Sequence, residues 1–200
     1  KVSSNFADEL TQNRFEFRSN EVATAIEERM HVYEQVLQGG VALFTTNYSE
    51  APAPSERYTS SLHIEEHWPG IQGFGFAIPV KPEHKTVLID KIRGEGFPYF
   101  DILPKGNRNT YSTILYLEPF DWRNQRAFGY DMYSNPVRRA AMDRARDMGL
   151  ASTSGIITLV QETDDNVQKG FLTYLPVYKH ATVNSVELRR KEFVGWVYAA

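Results

Sequence analysis

The sequence predicts an α+β domain: one long N-terminal helix, then a largely antiparallel sheet of about five strands with helices inserted between them. Three observations predict it. Apolar residues recur at three- and four-residue spacing from Phe15 through Val22, Ile26, Met30, Tyr33, Leu37 and Val41 to Phe44, with no proline before Pro52. At Ile71 the pattern changes to short apolar runs dotted with glycine. The last of these runs follow one another as hairpin-like neighbours, which favours antiparallel pairing.

In order along the chain, the first helix spans roughly 45 Å if thirty residues rise ~1.5 Å each, longer than a compact domain of this size needs. It suits a stalk or a dimer seam. Ala51-Pro52-Ala53-Pro54 breaks it, and Ser55 can cap a second helix running to His67, before Pro69-Gly70. Ile71–Val80 then reads as a strand, and Lys81–Arg93 as a short helix opening at Pro82 and stopping at Gly94. Strand-like runs at Tyr99–Leu103 and Tyr111–Leu117 lead into a loop over Glu118–Asn135. Ser134-Asn135-Pro136 caps the clearest helix, with Val137, Ala141, Ala145 and Met148 as its expected buried face and Gly149 as its stop. Strands at Ile156–Gln161 and Phe171–Tyr178, joined by the polar turn Glu162–Lys169, and a last strand at Phe193–Ala199 complete the order.

Composition narrows the function classes. The 200 residues carry a formal net charge of -3, and 42% are hydrophobic. A pI near 6.0 gives no basic face of the kind that phosphate backbones require, so nucleic acid is not an expected partner. Cysteine is absent, which removes disulfides, thiolate zinc sites and cysteine nucleophiles together. No run of about 18 apolar residues reads as a membrane span.

The motifs that could carry catalysis are weak. His63-Ile64-Glu65-Glu66-His67 has the spacing of a zinc peptidase helix, but Pro69-Gly70 ends the helix at once and no third ligand follows. No Gly-x-Ser-x-Gly occurs, and Gly73-Phe74-Gly75 is too short for a phosphate loop. No catalytic residue, metal or cofactor is expected. Arg138, Arg139, Arg144 and Arg146 are balanced by Asp143 and Asp147 and read as a solvated helix face. Asp131 is different, because it stands between aromatics in Phe128-Gly129-Tyr130-Asp131-Met132-Tyr133. A carboxylate there must cap a helix, pair with an arginine, or meet a ligand that donates hydrogen bonds.

Several of these stretches together resemble one family. Glu66-His67-Trp68-Pro69-Gly70-Ile71-Gln72-Gly73-Phe74-Gly75-Phe76-Ala77, Tyr116-Leu117-Glu118-Pro119-Phe120, the run from Phe128 through Tyr130-Asp131-Met132 to Arg139, Ala141–Gly149, Leu159-Val160-Gln161-Glu162 and Gly170–Tyr178 are similar to the CHASE domain. CHASE domains are extracytoplasmic sensors of histidine kinases and of nucleotide and diguanylate cyclases, the plant cytokinin receptors among them.

The resemblance implies a stalk helix over 1–50 and a membrane-distal PAS-like ligand-binding module over 51–200, with a membrane-proximal module lying beyond this chain. It also implies a non-enzymatic fragment, a small-molecule ligand such as an adenine derivative, a homodimer through the stalk, and a periplasmic place in an inner-membrane receptor. Residue by residue, the family's adenine-contacting aspartate matches Asp131, and its other polar contacts match Thr153 and Thr163. Tyr130 and Met132 flank the aspartate, while Leu159, Tyr174 and Leu175 fall in strands that would line the cavity. The sequence departs from the plant pattern at Tyr133-Ser134-Asn135-Pro136 and at Ser154-Gly155-Ile156-Ile157, and looks like the bacterial branch. The competing expectation is a structural or dimerising module whose pocket is vestigial.

Overall fold

The computed structural model describes residues 2–46, 68, 70–160 and 169–200. Helix α1 (Val2–Thr46) is 45 residues long and begins well before the apolar stripe that predicted it. The chain divides into two compact units, residues 1–36 and 37–200. In the first, the stripe residues Phe15, Val22 and Ile26 are exposed, and contacts four residues apart, such as Gln12 Nε2 donating to Glu16 Oε1 at 2.9 Å, brace the helix surface.

In the second unit, a five-stranded sheet is built from β1 (Phe74–Val80), β2 (Tyr111–Glu118), β3 (Ser152–Thr153), β6 (Thr173–Tyr178) and β7 (Phe193–Ala199). Its order is β2-β1-β7-β6-β3, and every neighbouring pair is antiparallel. A separate two-stranded pair joins β4 (Ile157–Thr158) to β5 (Lys169–Gly170). Helices α2 (Lys85–Gly94), α3 (Pro136–Met148) and α4 (Val186–Lys191) lie between the strands in sequence. This is the α+β fold that the sequence predicts.

The central strands β1 and β7 are buried on both faces, so they read as apolar runs rather than as alternating ones. One face carries the last turns of α1. There Phe44 stacks on Phe76 with ring centres 4.1 Å apart and meets Tyr116 edge-on at 5.7 Å. Gly40 gives the close approach: a Cβ at that position would overlap the Phe74 ring and come within 2.9 Å of Val197 Cγ1. The other face carries α3, whose Ala141, Met142 and Ala145 share a core with Ala77, Ile114, Leu117, Tyr174, Trp196 and Tyr198. Trp196 Nε1 donates to Met142 O at 2.8 Å, so the largest buried side chain also fixes the helix on the sheet. A smaller core joins Ile89 and Ile92 of α2 to Val80, Phe100, Ile102, Tyr111 and Leu115.

Helix α3 has the predicted ends. Asn135 Oδ1 accepts from Val137 N at 2.9 Å and from Arg138 N at 3.2 Å, Pro136 takes the first helical position, and Gly149 closes the helix at φ 73°. Its buried face is rotated from the expected one. Arg138, Ala141, Met142 and Ala145 are buried, whereas Val137 and Met148 are exposed. The strand expected at Tyr99–Leu103 is also absent, and only Leu103 makes a bridge, to Tyr130. Pro98 and Pro104 flank that run and withhold the backbone donors that a ladder needs.

The strand expected at Ile156–Gln161 contracts to Ile157–Thr158 within the described residues. Helix α4 went unpredicted because six residues are too few to show a period. It is capped by Ser185 Oγ, which accepts from Leu188 N, and it is tied to α3 by Arg190, whose Nη2 lies 2.6 Å from Asp147 Oδ2. The helix expected between Ser55 and His67 lies outside the described residues.

Gly40→Ala tests the α1–sheet contact. Helix propensity alone favours alanine by about 1 kcal/mol, but forcing a methyl against Phe74 costs about 1–3 kcal/mol. A net loss of stability in urea unfolding is expected, and an unchanged or raised midpoint would show that α1 does not pack there.

Candidate ligand site

The layer between α3 and the sheet holds the polar groups that the core leaves unserved. Strand alternation brings Tyr174 of β6 and Tyr198 of β7 to the α3 face, where their ring centres stand 6.3 Å apart. Neither phenol oxygen has a hydrogen-bond partner, although both residues are buried. Burial pushes both phenols well above the usual tyrosine range, so each stays a neutral hydroxyl. Tyr198 lies over β1 because residue 75 is glycine: a Cβ there would come within 2.5 Å of the Tyr198 hydroxyl.

Of the residues predicted to form the site, the structure brings Tyr130, Met132, Leu159 and Tyr174 together in or against this core. Thr153 and Leu175 belong to the other face. Thr153 pairs with Thr173, their hydroxyl oxygens 3.0 Å apart, and Leu175 shares the face of Thr173 rather than that of Tyr174. Thr163 lies outside the described residues, as do His63 and His67.

Asp131 has no exposed surface. Its Oδ1 accepts from Ser112 N at 2.7 Å and from Tyr133 N at 3.1 Å, so it caps the single helical turn Met132–Ser134 and clips that turn to β2. Its Oδ2 accepts no hydrogen bond of good geometry, and Arg108 Nη1 stands 3.3 Å away as its charge partner. Arg108 is itself held by Pro104 O at 3.2 Å and by the Tyr111 ring. Of the three roles open to this carboxylate, the structure therefore fills two, cap and ion pair. The partners differ from those nearest in sequence, since the cap serves the turn before α3 and the cation comes from residue 108. Burial raises the Asp131 carboxyl above its ordinary range, opposed by the Ser112 amide and the Arg108 guanidinium.

The family model of the CHASE domain matches residues 55–200. The chain belongs to the CHASE family. CHASE domains are extracellular sensor domains of signalling receptors, and they are not catalytic. No curated protein matches the chain. Among the described residues, no helix is long and apolar enough to cross a membrane.

Sequence reasoning missed two residues of this candidate site, Arg138 and Tyr198. The reading of four arginines as a solvated face holds for Arg139 and Arg144, which are exposed, while Arg146 is half-buried and pairs with Asp143 at 3.1 Å and Asp147 at 2.8 Å. It fails for Arg138, which is 3% exposed. The available signal was its phase: 138, 141, 142 and 145 stand at i, i+3, i+4 and i+7. Tyr198 was legible as the residue two beyond Trp196 in the last strand.

Asp131→Asn keeps an acceptor for the two amides but turns an amide donor toward the Arg108 guanidinium where the carboxyl offered an oxygen. A loss of about 1–3 kcal/mol is expected, in place of the small effect that a purely ligand-facing aspartate would show. The pH dependence follows from the raised carboxyl. The folded state holds this proton more readily than the unfolded chain, so the group's contribution is full below the unfolded value near 3.8 and declines as pH rises through the folded value. The penalty of the substitution should therefore be larger at about pH 4 than at pH 7. A penalty that grows toward neutral pH would mean that the Arg108 attraction outweighs desolvation.

Proposed function

We propose that this CHASE domain is the periplasmic sensor of an inner-membrane receptor, binding a small molecule between α3 and the sheet and signalling to a cytoplasmic histidine kinase or diguanylate cyclase. The observation that carries the reading is a pair of buried hydroxyls left without hydrogen-bond partners beneath α3, those of Tyr174 and Tyr198, whose rings stand 6.3 Å apart in one core. Native cores leave few such groups, and those that remain call for an explanation. A ligand supplies one.

Tyr130, Met132, Leu159 and Tyr174 form the walls of the site, and Asp131 Oδ2 accepts an N–H of the ligand, in company with or in place of Arg108. An adenine derivative is the first candidate, by the family likeness. A ligand moves the receptor only through unequal affinity for two conformations. The element that can differ is the β1–β7 pair, which meets α3 on one face and the end of α1 on the other. The exposed residues Phe15, Val22 and Ile26 of α1, spaced by seven and four, support a homodimer through the stalk.

A thermal-shift screen with adenine, its N6-substituted derivatives and common metabolites tests the reading, because ligand at 100 times its Kd adds about 2.7 kcal/mol of stability. A shift that Asp131→Asn weakens about tenfold in affinity is the expected result. If no compound moves the transition and the protein dimerises all the same, the domain is a structural module with a vestigial pocket.

A further inference from the structure

Arg138 stands in the first turn of α3 with its guanidinium turned into the protein. Nη2 donates to Thr158 O at 3.1 Å, the guanidinium carbon lies 5.1 Å from the centre of the Tyr130 ring, and buried Nε has no hydrogen-bond partner. Among the described residues no carboxylate lies within ion-pair distance of it, and the acids of its own helix, Asp143 and Asp147, are taken by Arg146 and Arg190. A guanidinium does not give up its proton at any ordinary pH. A buried ion without a counter-charge is strongly unfavourable, and one carbonyl and one aromatic face compensate it only in part.

Tyr130, beneath the Arg138 guanidinium, packs against the core that holds the two unserved phenols, whose rings stand 6.3 Å apart. The positive charge of Arg138 acts on both the Tyr174 and the Tyr198 hydroxyl, and opposes the effect of burial on each. A fixed cation with a free N–H and two neutral O–H donors, all buried, form a receptor for one anionic group. The apolar side chains of Met132 and Leu159 complete the same core.

We propose that Arg138, with the hydroxyls of Tyr174 and Tyr198, receives the carboxylate of a small organic monoanion whose apolar part rests on Met132 and Leu159. The inference rests on the ligand-site reading above and adds the charge and class of the ligand. A carboxylate fits better than a phosphate because a single guanidinium balances a single negative charge, and a dianion would be left half-compensated in a buried site. The flat fork of Arg also matches a carboxylate with two parallel hydrogen bonds.

The bland alternative is that Arg138 is a staple between α3 and Thr158. The two accounts differ in the sign of one measurement. As an uncompensated charge, Arg138 destabilises the ligand-free protein, so Arg138→Met should raise the melting temperature of the 200-residue chain by about 2–4 °C, the equivalent of roughly 1 kcal/mol. As a staple, its loss should lower it.

Binding is read on the same chain by calorimetry and thermal shift, with benzoate, phenylacetate and indole-3-acetate, each against its neutral amide, and with adenine in parallel. The expected result is stabilisation by at least one carboxylate and not by its amide, at least tenfold weaker in Arg138→Met and unchanged in Arg139→Met, which alters an exposed neighbour. A lowered melting temperature in Arg138→Met, or carboxylates that act equally on both variants, overturns the proposal. Stabilisation by adenine alone also overturns it and leaves the sensor reading standing. No response to any probe removes both.

Discussion

The antiparallel pairing of β1 with β7 is the constraint on which the rest of this structure depends. It joins Phe74–Ala77 to Trp196–Ala199, stretches more than a hundred residues apart, and it stands at the centre of the sheet. The other strands of the five-stranded sheet are hung on it, β2 on one side and β6 with β3 on the other. Both of its faces are covered, so the apolar surface removed from water is large on each strand. The loop-closure cost of so distant a pairing is recovered only when α1 and α3 dock on the two faces.

That two-sided burial explains where the unusual residues stand. Glycine is required where backbones or rings approach closely: Gly40 of α1 above Phe74, and Gly75 of β1 beneath the Tyr198 hydroxyl. On the α1 face, Phe44 packs on the rings of Phe76 and Tyr116, and Gly40 lies against Phe74 and Val197. On the α3 face, the same strands present Tyr174 and Tyr198, and the helix answers with Arg138 rather than with an apolar residue. A core designed for stability alone would not place three such polar groups together with atoms left unserved. Their presence distinguishes the α3 face of the sheet from the face that holds the end of the long helix.

Asp131 illustrates how position and role come apart. It stands where the family likeness puts a ligand contact, yet one of its oxygens is occupied by backbone amides and the other faces Arg108. The carboxylate fixes the turn that delivers Tyr130, Met132 and the start of α3 to the site. Part of any functional effect of changing it will therefore come through that turn.

The sequence by itself determined the elements whose cause is local. The periodicity of α1, the Asn135–Pro136 start and Gly149 stop of α3, the helical turn at Pro82–His84 that leads into α2 and the apolar runs of β1, β2 and β7 are all readable because capping, φ restrictions and side-chain period act within a few residues. The CHASE family was legible too, from motifs spread over most of the chain. Only the tertiary structure decided which face each polar residue meets. Arg138 looked like one of four solvated arginines until the packing of α3 turned it inward. The register of β6 sets Thr153 and Leu175 on the face of the sheet opposite Tyr174. Asp131 found its cation in Arg108, twenty-three residues away. Such choices are set by long-range pairing and by competition for buried space, which no window of sequence contains.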